Sequence, residues 1–435
     1  MRSTLPTFNE VWQRQCRSSI LSDEKQFFSK NTFLVACSGG MDSMLLLCLL
    51  HCLFPQRVRA MYVNHQLQPD NEVWATFVQN FCEWHNIPYL IKKVQVAKGN
   101  LEAQARHARF NAFQQTICSE EILVLAHHQQ DQAETFLLRL FSGAGVNGLK
   151  AMQKIAVKEN IKIWRPLLDV PREKIEQWIK QDSIPYVTDQ TNFDEHYDRA
   201  WARHTLWNVI KPRFPKMQTA ITRTALLMQD ADEILYEVLQ QDFKCCGNEN
   251  SLDIQALNDL TPARRRQLLS WWLKTEYRPS LDTVDRLQNE VMYARTDAQA
   301  QFFVKPFWYV RYQGKIYRLT EQQKKPKQYE IEIFDCQNIV LNQKYGLNKD
   351  LLKESLMLYP RIGGERVHLH GRVGTWPLKK AIQEAQIFPW QRDQIQILKK
   401  EDVILGIITP QGFWLAQSDY CVPNGWLPKL DGVSV

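Results

Sequence analysis

The sequence has no C-x-x-C pair: its ten cysteines stand at 16, 37, 48, 52, 82, 118, 245, 246, 336 and 421, a spacing that excludes the usual zinc and dithiol-redox patterns. Cysteines scattered in this way are expected to be reduced and mostly buried. Long apolar runs are also missing. The most apolar stretch, Met44 to Phe54, falls short of the roughly 20 residues that a membrane-spanning helix needs. The amino-terminal stretch carries no signal-peptide core, so the expectation is a cytoplasmic protein with no membrane partner. There are no internal repeats or low-complexity tracts, which sets aside solenoids and compositionally driven disorder.

A chain of 435 residues exceeds what one hydrophobic core organises, so two or three domains are expected. Hydrophobic residues make up 44% and charged residues 23%, the balance of an ordinary globular protein. Fifty-four lysines and arginines stand against 47 aspartates and glutamates, a formal charge of +7. So mild an excess suits a polyanionic partner without demanding one. The 14 tryptophans, 14 tyrosines and 20 phenylalanines are read first as core, because aromatic rings fill cores more often than they stack on bases.

Phe33 to Cys37 is a short apolar run, and Ser43 to Phe54 is apolar on most faces: a strand, a turn and a helix. Arg57 to Asn64, Tyr89 to Val94 and Ile122 to Ala126 read as further strands, and Glu72 to His85, Leu101 to Ile117 and Gln132 to Phe141 as helices. This alternation predicts an α/β fold, a parallel sheet with helices on both faces whose ligands sit at the carboxyl ends of the first and fourth strands. Beyond about residue 215 the strand signal fades, and Ala220 to Gln241 and Pro262 to Lys274 read as helices. Gln322 to Gln328, with Lys324, Lys325, Pro326 and Lys327, reads as a linker. After it come short β-like runs, Tyr329 to Phe334 and Val403 to Ile408, around a turn-rich stretch at 360–376. The expected organisation is a nucleotide-binding domain over 1–215, a helical middle domain over 216–327 and a small α+β carboxy-terminal domain over 328–435.

Between the first strand and its helix lies Val35-Ala36-Cys37-Ser38-Gly39-Gly40-Met41-Asp42-Ser43. Glycines let the backbone approach a ligand and take positive φ, the helix N-terminus directs N–H groups and positive dipole at an anion, and the serines donate hydrogen bonds. The segment is a candidate phosphate cradle, with Asp42 placed to hold a Mg²⁺ ion. A glycine turn in which Ser38 or Asp42 merely caps the helix is the competing reading. The loop has neither the Walker pattern nor the dinucleotide-binding glycine pattern. At the fourth strand end stands Leu125-Ala126-His127-His128-Gln129-Gln130-Asp131-Gln132-Ala133-Glu134-Thr135. A helix beginning near Asp131 puts Asp131 and Glu134 on one face; alternatively Asp131 is an N-cap and the histidines are polar strand-end residues. Glu102, Arg106 and Arg109 recur at helical spacing, turned either to phosphates or to solvent.

SGGMDS after a strand resembles the signature of the PP-loop ATP pyrophosphatases, and HHQQDQAET resembles the HHxxDQAET of the tRNA(Ile)-lysidine synthetases. Asn100 to Phe110, Arg165-Pro166-Leu167-Leu168, Arg361-Ile362-Gly363-Gly364-Glu365-Arg366, Leu378-Lys379-Lys380 and Ile387 to Arg392 follow that family in order. The resemblance thus covers most of the chain. Two stretches depart from it. Where the family has HxxHGLR-like and RNxxR segments, this chain reads Asn64-His65-Gln66-Leu67-Gln68 and Arg199-Ala200-Trp201-Ala202-Arg203, with Asn208 near the expected proline.

The resemblance implies ATP and Mg²⁺ as cofactors and, as partners, L-lysine and tRNA(Ile) with a CAU anticodon; it leaves a homodimer open. ATP would be bound by Ser38, Gly39, Gly40, Met41, Asp42 and Ser43 with Arg106 and Arg109, the β and γ phosphates being held as leaving pyrophosphate. Asp42 would hold the metal, Asp131 would contact metal or the lysine ammonium, and His127 or His128 would assist proton transfer. Arg199, Arg203, Arg361, Arg366, Lys379, Lys380 and Arg392 would face tRNA. From Arg361 to Lys400 eight lysines and arginines oppose three acids, which suits an RNA-facing surface. The implied reaction adenylates the carbonyl oxygen on carbon-2 of the first anticodon cytidine and then replaces that oxygen with lysine's amine, which changes codon and amino-acid specificity from methionine to isoleucine. A PP-loop tRNA thiolase is one rival, opposed by the missing C-x-x-C pair. A non-catalytic RNA-binding protein is another, opposed by intact Ser38, Asp42, Ser43 and Asp131. Because both motifs lie before residue 150, deleting residues 330–435 is expected to weaken tRNA affinity, read by filter binding, far more than ATP affinity. The RNA binding that remains should weaken further as salt rises.

Overall fold

The computed structural model describes residues 5–68, 70–97, 99, 101–189, 194–273, 279–295, 300–324, 331–336, 339–342 and 344–429. The first unit opens with α1 (Val11–Asp23), β1 (Thr32–Ala36), α2 (Met41–Leu53), β2 (Val58–Asn64), α3 (Asn71–Trp84) and β3 (Tyr89–Lys93). It continues through α4 (Leu101–Gln114), β4 (Glu121–Val124), α5 (Gln129–Phe141), α6 (Val146–Leu149), β5 (Ile155–Lys158), β6 (Ile161–Trp164) and α7 (Arg172–Asp182). After a short α8 (Asp198–Trp201), a π-helical turn over Ala202–Leu206 and α9 (Trp207–Ile210) comes the long α10 (Met217–Cys246).

Successive side chains of a strand point to opposite faces. Phe33 and Val35 of β1 accordingly enter one core while Leu34 enters another. The first core is filled by α1, α2, α3 and α7 and the second by Ala112 and Phe113 of α4. A strand buried on both sides reads as a continuous apolar run, which is why β1 was visible in the sequence. Helix α2 is buried from Ser43 to Leu50, as a helix apolar on all sides must be.

The sheet order is β3-β2-β1-β4-β6-β5, parallel throughout except for the antiparallel β5–β6 hairpin. From β1 the chain winds outward to β3, then returns to set β4 on the opposite side of β1. That reversal opens a crevice at the carboxyl ends of β1 and β4, where ligands bind in open α/β sheets. The expected elements up to residue 141 are all present, with ends shifted by at most three residues. The β5–β6 hairpin is not legible in the alternation.

The chain divides into compact units of residues 1–236 and 237–435, with the division falling within α10. In the second unit, β7 (Ser251–Asp253), β8 (Gln301–Val304), β9 (Phe307–Tyr312) and β10 (Lys315–Thr320) make an antiparallel sheet of order β7-β10-β9-β8. Helices Pro262–Trp272 and Leu281–Leu287 share its core. The helical middle region therefore also carries a sheet, whose short strands joined by tight turns leave little period-2 signal. Beyond it, five- and four-stranded antiparallel sheets with the helix Leu378–Glu384 give the α+β carboxy-terminal part. Of the expected linker, Lys324 ends a short helix and residues 325–328 lie outside the described residues. Tyr329 lies outside them too, while Glu332–Ile333 form a short strand. Among the described residues no helix is long and apolar enough to cross a membrane.

Candidate functional site

β1 delivers its following loop to the crevice. Gly39 adopts φ +78°, and a Cβ there would lie 3.0 Å from Val187 Cγ2 and 3.3 Å from Val78 Cγ2, so both conformation and space demand glycine. The Val187 N–H donates to the Gly39 carbonyl at 2.9 Å and holds the turn down. Gly40 is the N-cap of α2, and no side chain caps that helix. Ser38 and Asp42 are therefore not caps, and the first-turn N–H groups face the crevice as an anion site. Ser43 donates to the Gly40 carbonyl at 2.9 Å and accepts from the Ser38 N–H at 3.2 Å, and the two hydroxyl oxygens stand 3.2 Å apart. Neighbouring Cys37 is buried 3.7 Å from Met44 Sδ, and burial pushes its thiol up to about 11. It is a packing group, since the thiolate is the reactive form.

Opposite the loop, the fourth strand ends in the two histidines. Helix α5 begins at Gln129, earlier than expected, with His128 as its N-cap and Asp131 at the third position. The His128 N–H donates to Asp131 Oδ2 at 3.0 Å, and the Asp131 N–H points at His128 Nδ1 at 3.4 Å. This reciprocal cap satisfies two helix-end donors and leaves His128 Nε2 as the proton-bearing nitrogen. Nε2 lies 3.4 Å from Asp131 Oδ2 and 3.7 Å from Asp42 Oδ1. His127 is arranged likewise: Arg165 Nε donates to its Nδ1 at 3.3 Å. Burial is the largest cause lowering His127 to about 3, with Arg165, Arg199 and Arg109 adding to it and Asp131 opposing. Both imidazoles thus present Nε2–H donors, an arrangement suited to stabilising developing negative charge. An Nε2–H donor can also assist proton transfer as a general acid.

The two carboxylates differ. Burial raises Asp42 above its ordinary value and Asp131 adds to this, against the lowering effects of His128, Arg172 and Arg203. At Asp131 burial also pushes upward, but His128, His127, the His128 N–H and Arg203 outweigh it and hold the carboxyl below its ordinary value. Asp42 Oδ1 is buried without a hydrogen-bond partner among the described residues, an arrangement that a cation would relieve.

Arg203 sits in the π-helical turn and forks onto Glu134, Nε to Oε1 and Nη2 to Oε2, both at 3.0 Å. Its Nη2 also lies 3.5 Å from Asp131 Oδ1, which confirms that Asp131 and Glu134 share a face. Glu134 has no exposed surface, so the fork is a buried ion pair. Arg203 was expected to grip tRNA; its guanidinium is instead spent on Glu134 and Asp131. Arg199 reaches Thr135 Oγ1 at 3.5 Å. Arg106 and Arg109 are exposed on α4, close enough that Arg106 lowers Arg165 and Arg109 lowers His65 and His127. The Glu102 side chain lies outside the described residues. In the departure after β2, Asn64 accepts from the Gln66 N–H at 2.9 Å and donates to Glu72 at 3.1 Å, and Gln66 takes φ +57°. Burial, then Arg109, lowers His65 to about 4.

The remaining tRNA candidates belong to the second unit. Arg361 lies 3.9 Å from Glu365, Arg366 donates to the Thr375 carbonyl at 3.1 Å, and Arg392 donates to the Ile387 carbonyl at 3.2 Å. Lys379 is exposed, and Lys380 stands 4.6 Å over the Trp376 ring. Missed by sequence reasoning were Val187 and Arg172, which no motif marks, and the positioning roles of Arg165 and Glu134, whose only signal was their place inside matched segments.

An uncapped serine–glycine loop at the switch point of a parallel sheet, faced by two carboxylates and two imidazole donors, defines an ATP-binding protein of the PP-loop class. Residues 10–210 match the PP-loop domain, 252–317 the TilS substrate binding domain and 356–418 the TilS substrate C-terminal domain. A tRNA(Ile)-lysidine synthase of Acinetobacter baylyi is 52% identical over 99% of this chain and 97% of its own. One of Shigella flexneri is 32% identical over 94% of this chain and 99% of its own. The chain belongs to the tRNA(Ile)-lysidine synthase family. A solved U34-tRNA thiolase from Methanococcus maripaludis is similar over 51% of this chain and 81% of its own, with 17% identity and a TM-score of 0.41.

Removing one partner of a buried pair leaves an uncompensated charge, at a cost of about 3–5 kcal/mol. Arg203→Ala is expected to lose stability on that scale in urea unfolding. A phosphate-gripping arginine would instead change RNA affinity and leave the unfolding midpoint in place.

Proposed function

We propose that this chain is a cytoplasmic ligase that joins L-lysine to carbon-2 of the cytidine at the first anticodon position of tRNA(Ile) with a CAU anticodon. ATP is the activating substrate, AMP and pyrophosphate are released, and the tRNA changes from methionine to isoleucine identity. The observation that carries this reading is the Asp42–Asp131 pair facing an uncapped phosphate loop within a chain of this family. The proposal applies equally to a monomer or a homodimer. Residues 1–215 would do the chemistry, and 216–327 and 328–435 would be two modules that hold the tRNA, with Arg361, Arg366, Lys379, Lys380 and Arg392 on the latter.

Cytosine carbon-2 carries a carbonyl oxygen, a poor leaving group, so an amine replaces it only after activation. The oxygen attacks the α phosphorus of ATP and pyrophosphate leaves. Lysine's amine then adds at carbon-2 and gives up a proton, and AMP departs with the former carbonyl oxygen. Ser38, Ser43 and the first-turn N–H groups of α2 hold the β and γ phosphates and leave the α phosphorus open. Arg106 and Arg109 approach the nucleotide from α4. The Nε2–H groups of His127 and His128 stabilise charge that develops on the reacting oxygens. Ionised Asp131 meets the lysine ammonium or the metal. Asp42, with its unpartnered Oδ1, would hold Mg²⁺. Among the described residues no group of three or more metal-ligating side chains occurs, which suits a cation that takes one or two carboxylates and fills its shell with phosphate and water. When bound, Mg²⁺ supplies charge neutralisation on the phosphates.

Asp42→Asn is expected to lower turnover about 10²- to 10³-fold, the scale for removing one preorganised electrostatic group, with tRNA affinity nearly unchanged. Stability should move the opposite way. A carboxyl raised in the folded state favours folding most below its unfolded pKa and loses that contribution as pH rises through its folded value. At pH 7 Asp42 therefore opposes folding, and thermal melts should give the Asn variant the higher Tm.

The reaction itself is tested by stoichiometry. With unmodified tRNA(Ile), lysine and labelled ATP, chromatography is expected to show one AMP and one pyrophosphate per lysine incorporated and no ADP, and mass spectrometry should find lysine on the cytidine. ADP as the main product, or sulfur at carbon-2, would refute the assignment.

A further inference from the structure

The first unit contains a second cavity, of about 590 Å³, that the proposed chemistry does not use. Its apolar lining includes Leu137 of α5 and Ile221 of α10, which pack with Phe136, Ala151 and Ala225. Trp207 lines it as well, only 4% exposed, and its indole N–H is buried with no hydrogen-bond partner among the described residues. A buried donor left unpaired is uncommon and calls for an acceptor. The remaining lining includes Phe214, a large ring left 59% exposed, beside the exposed cations Arg213 and Lys216. No acidic residue occurs between Arg199 and Lys216.

These features ask for one kind of occupant: apolar flat faces, a hydrogen-bond acceptor on the edge and a negative charge outside the cavity. An unstacked nucleobase with its phosphate meets all three. An apolar protein side chain brings neither the acceptor nor the anion. The position also fits. Leu137 follows Asp131 by six residues on α5, about 9 Å along the helix axis, and Trp207 follows Arg203 across one π-helical turn. We propose that this cavity is a subsite for one unpaired base of the RNA substrate, a neighbour of the reacting cytidine in the anticodon loop, held by ring contact with Phe214 and by the Trp207 N–H. The inference rests on the reading of tRNA as the substrate.

The test uses the full-length chain and a synthetic anticodon stem-loop RNA, in its intact form and in versions with a single abasic loop position, with affinity read by fluorescence anisotropy. Phe214→Ala is expected to weaken binding of the intact stem-loop about tenfold, the loss of one base–aromatic stack. Trp207→Phe keeps the ring and is expected to cost about fivefold, the loss of one hydrogen bond. The KM for ATP should not change in either variant. For one abasic position the native affinity should drop to that of the variants, and the variants should lose nothing more, the non-additivity of groups in contact. Unchanged affinity in Phe214→Ala, or an equal loss with every abasic RNA, overturns the proposal. So does light scattering that finds Phe214→Ala splitting a dimer without changing RNA affinity, since the cavity would then receive a second copy. A native chain that forms lysidine without this coupling overturns the subsite alone, whereas one that binds no stem-loop overturns the substrate reading with it.

Discussion

Glu134 has no surface in water, and its charge is tolerable only because Arg203 meets both carboxylate oxygens at 3.0 Å while Gln130 donates to one of them. The fork joins residues 69 apart in sequence and pins the π-helical turn to α5. A π-helical turn redirects side chains relative to a regular helix, and here Arg203 points at both acids of α5. With α5 held, His128 can cap it and Asp131 can accept from the His128 N–H. The crevice therefore has one carboxylate kept ionised by its neighbours and one, Asp42, kept under electrostatic pressure.

That pressure fits the proposed site for a polyanion and its counter-charge. Asp42 Oδ1 and His65 Nδ1 are buried without partners among the described residues, and burial disfavours charge on Asp42, His65 and His127 alike. Each would be cheaper to replace if only folding mattered, the usual conflict between stability and function. Most core positions show no such conflict. Met44 to Leu50 of α2 are apolar and buried, and Trp164 and Trp178 are fully buried with their indole N–H groups bonded to Asp23 and to the Thr7 carbonyl. Cys16, Cys37, Cys48, Cys82 and Cys246 are buried and raised by burial, which makes them packing groups, whereas Cys118 and Cys245 are exposed.

What the sequence determined by itself was local. Period-2 and 3.6-residue patterns, a glycine pair between a strand and a helix, and acids and histidines at the next strand end depend on neighbours a few residues apart, so the parallel sheet and its two site-bearing edges were legible. The family motifs added the reaction. Tertiary structure alone decided the rest. It pressed Val187 and Val78 against Gly39, set Arg203 on Glu134, set both histidines as Nε2–H donors, put a sheet into the middle region and buried the Trp207 N–H without a partner among the described residues. Each of these outcomes depends on which distant side chain arrives and how much water it displaces, and residue type at a single position carries no information about either.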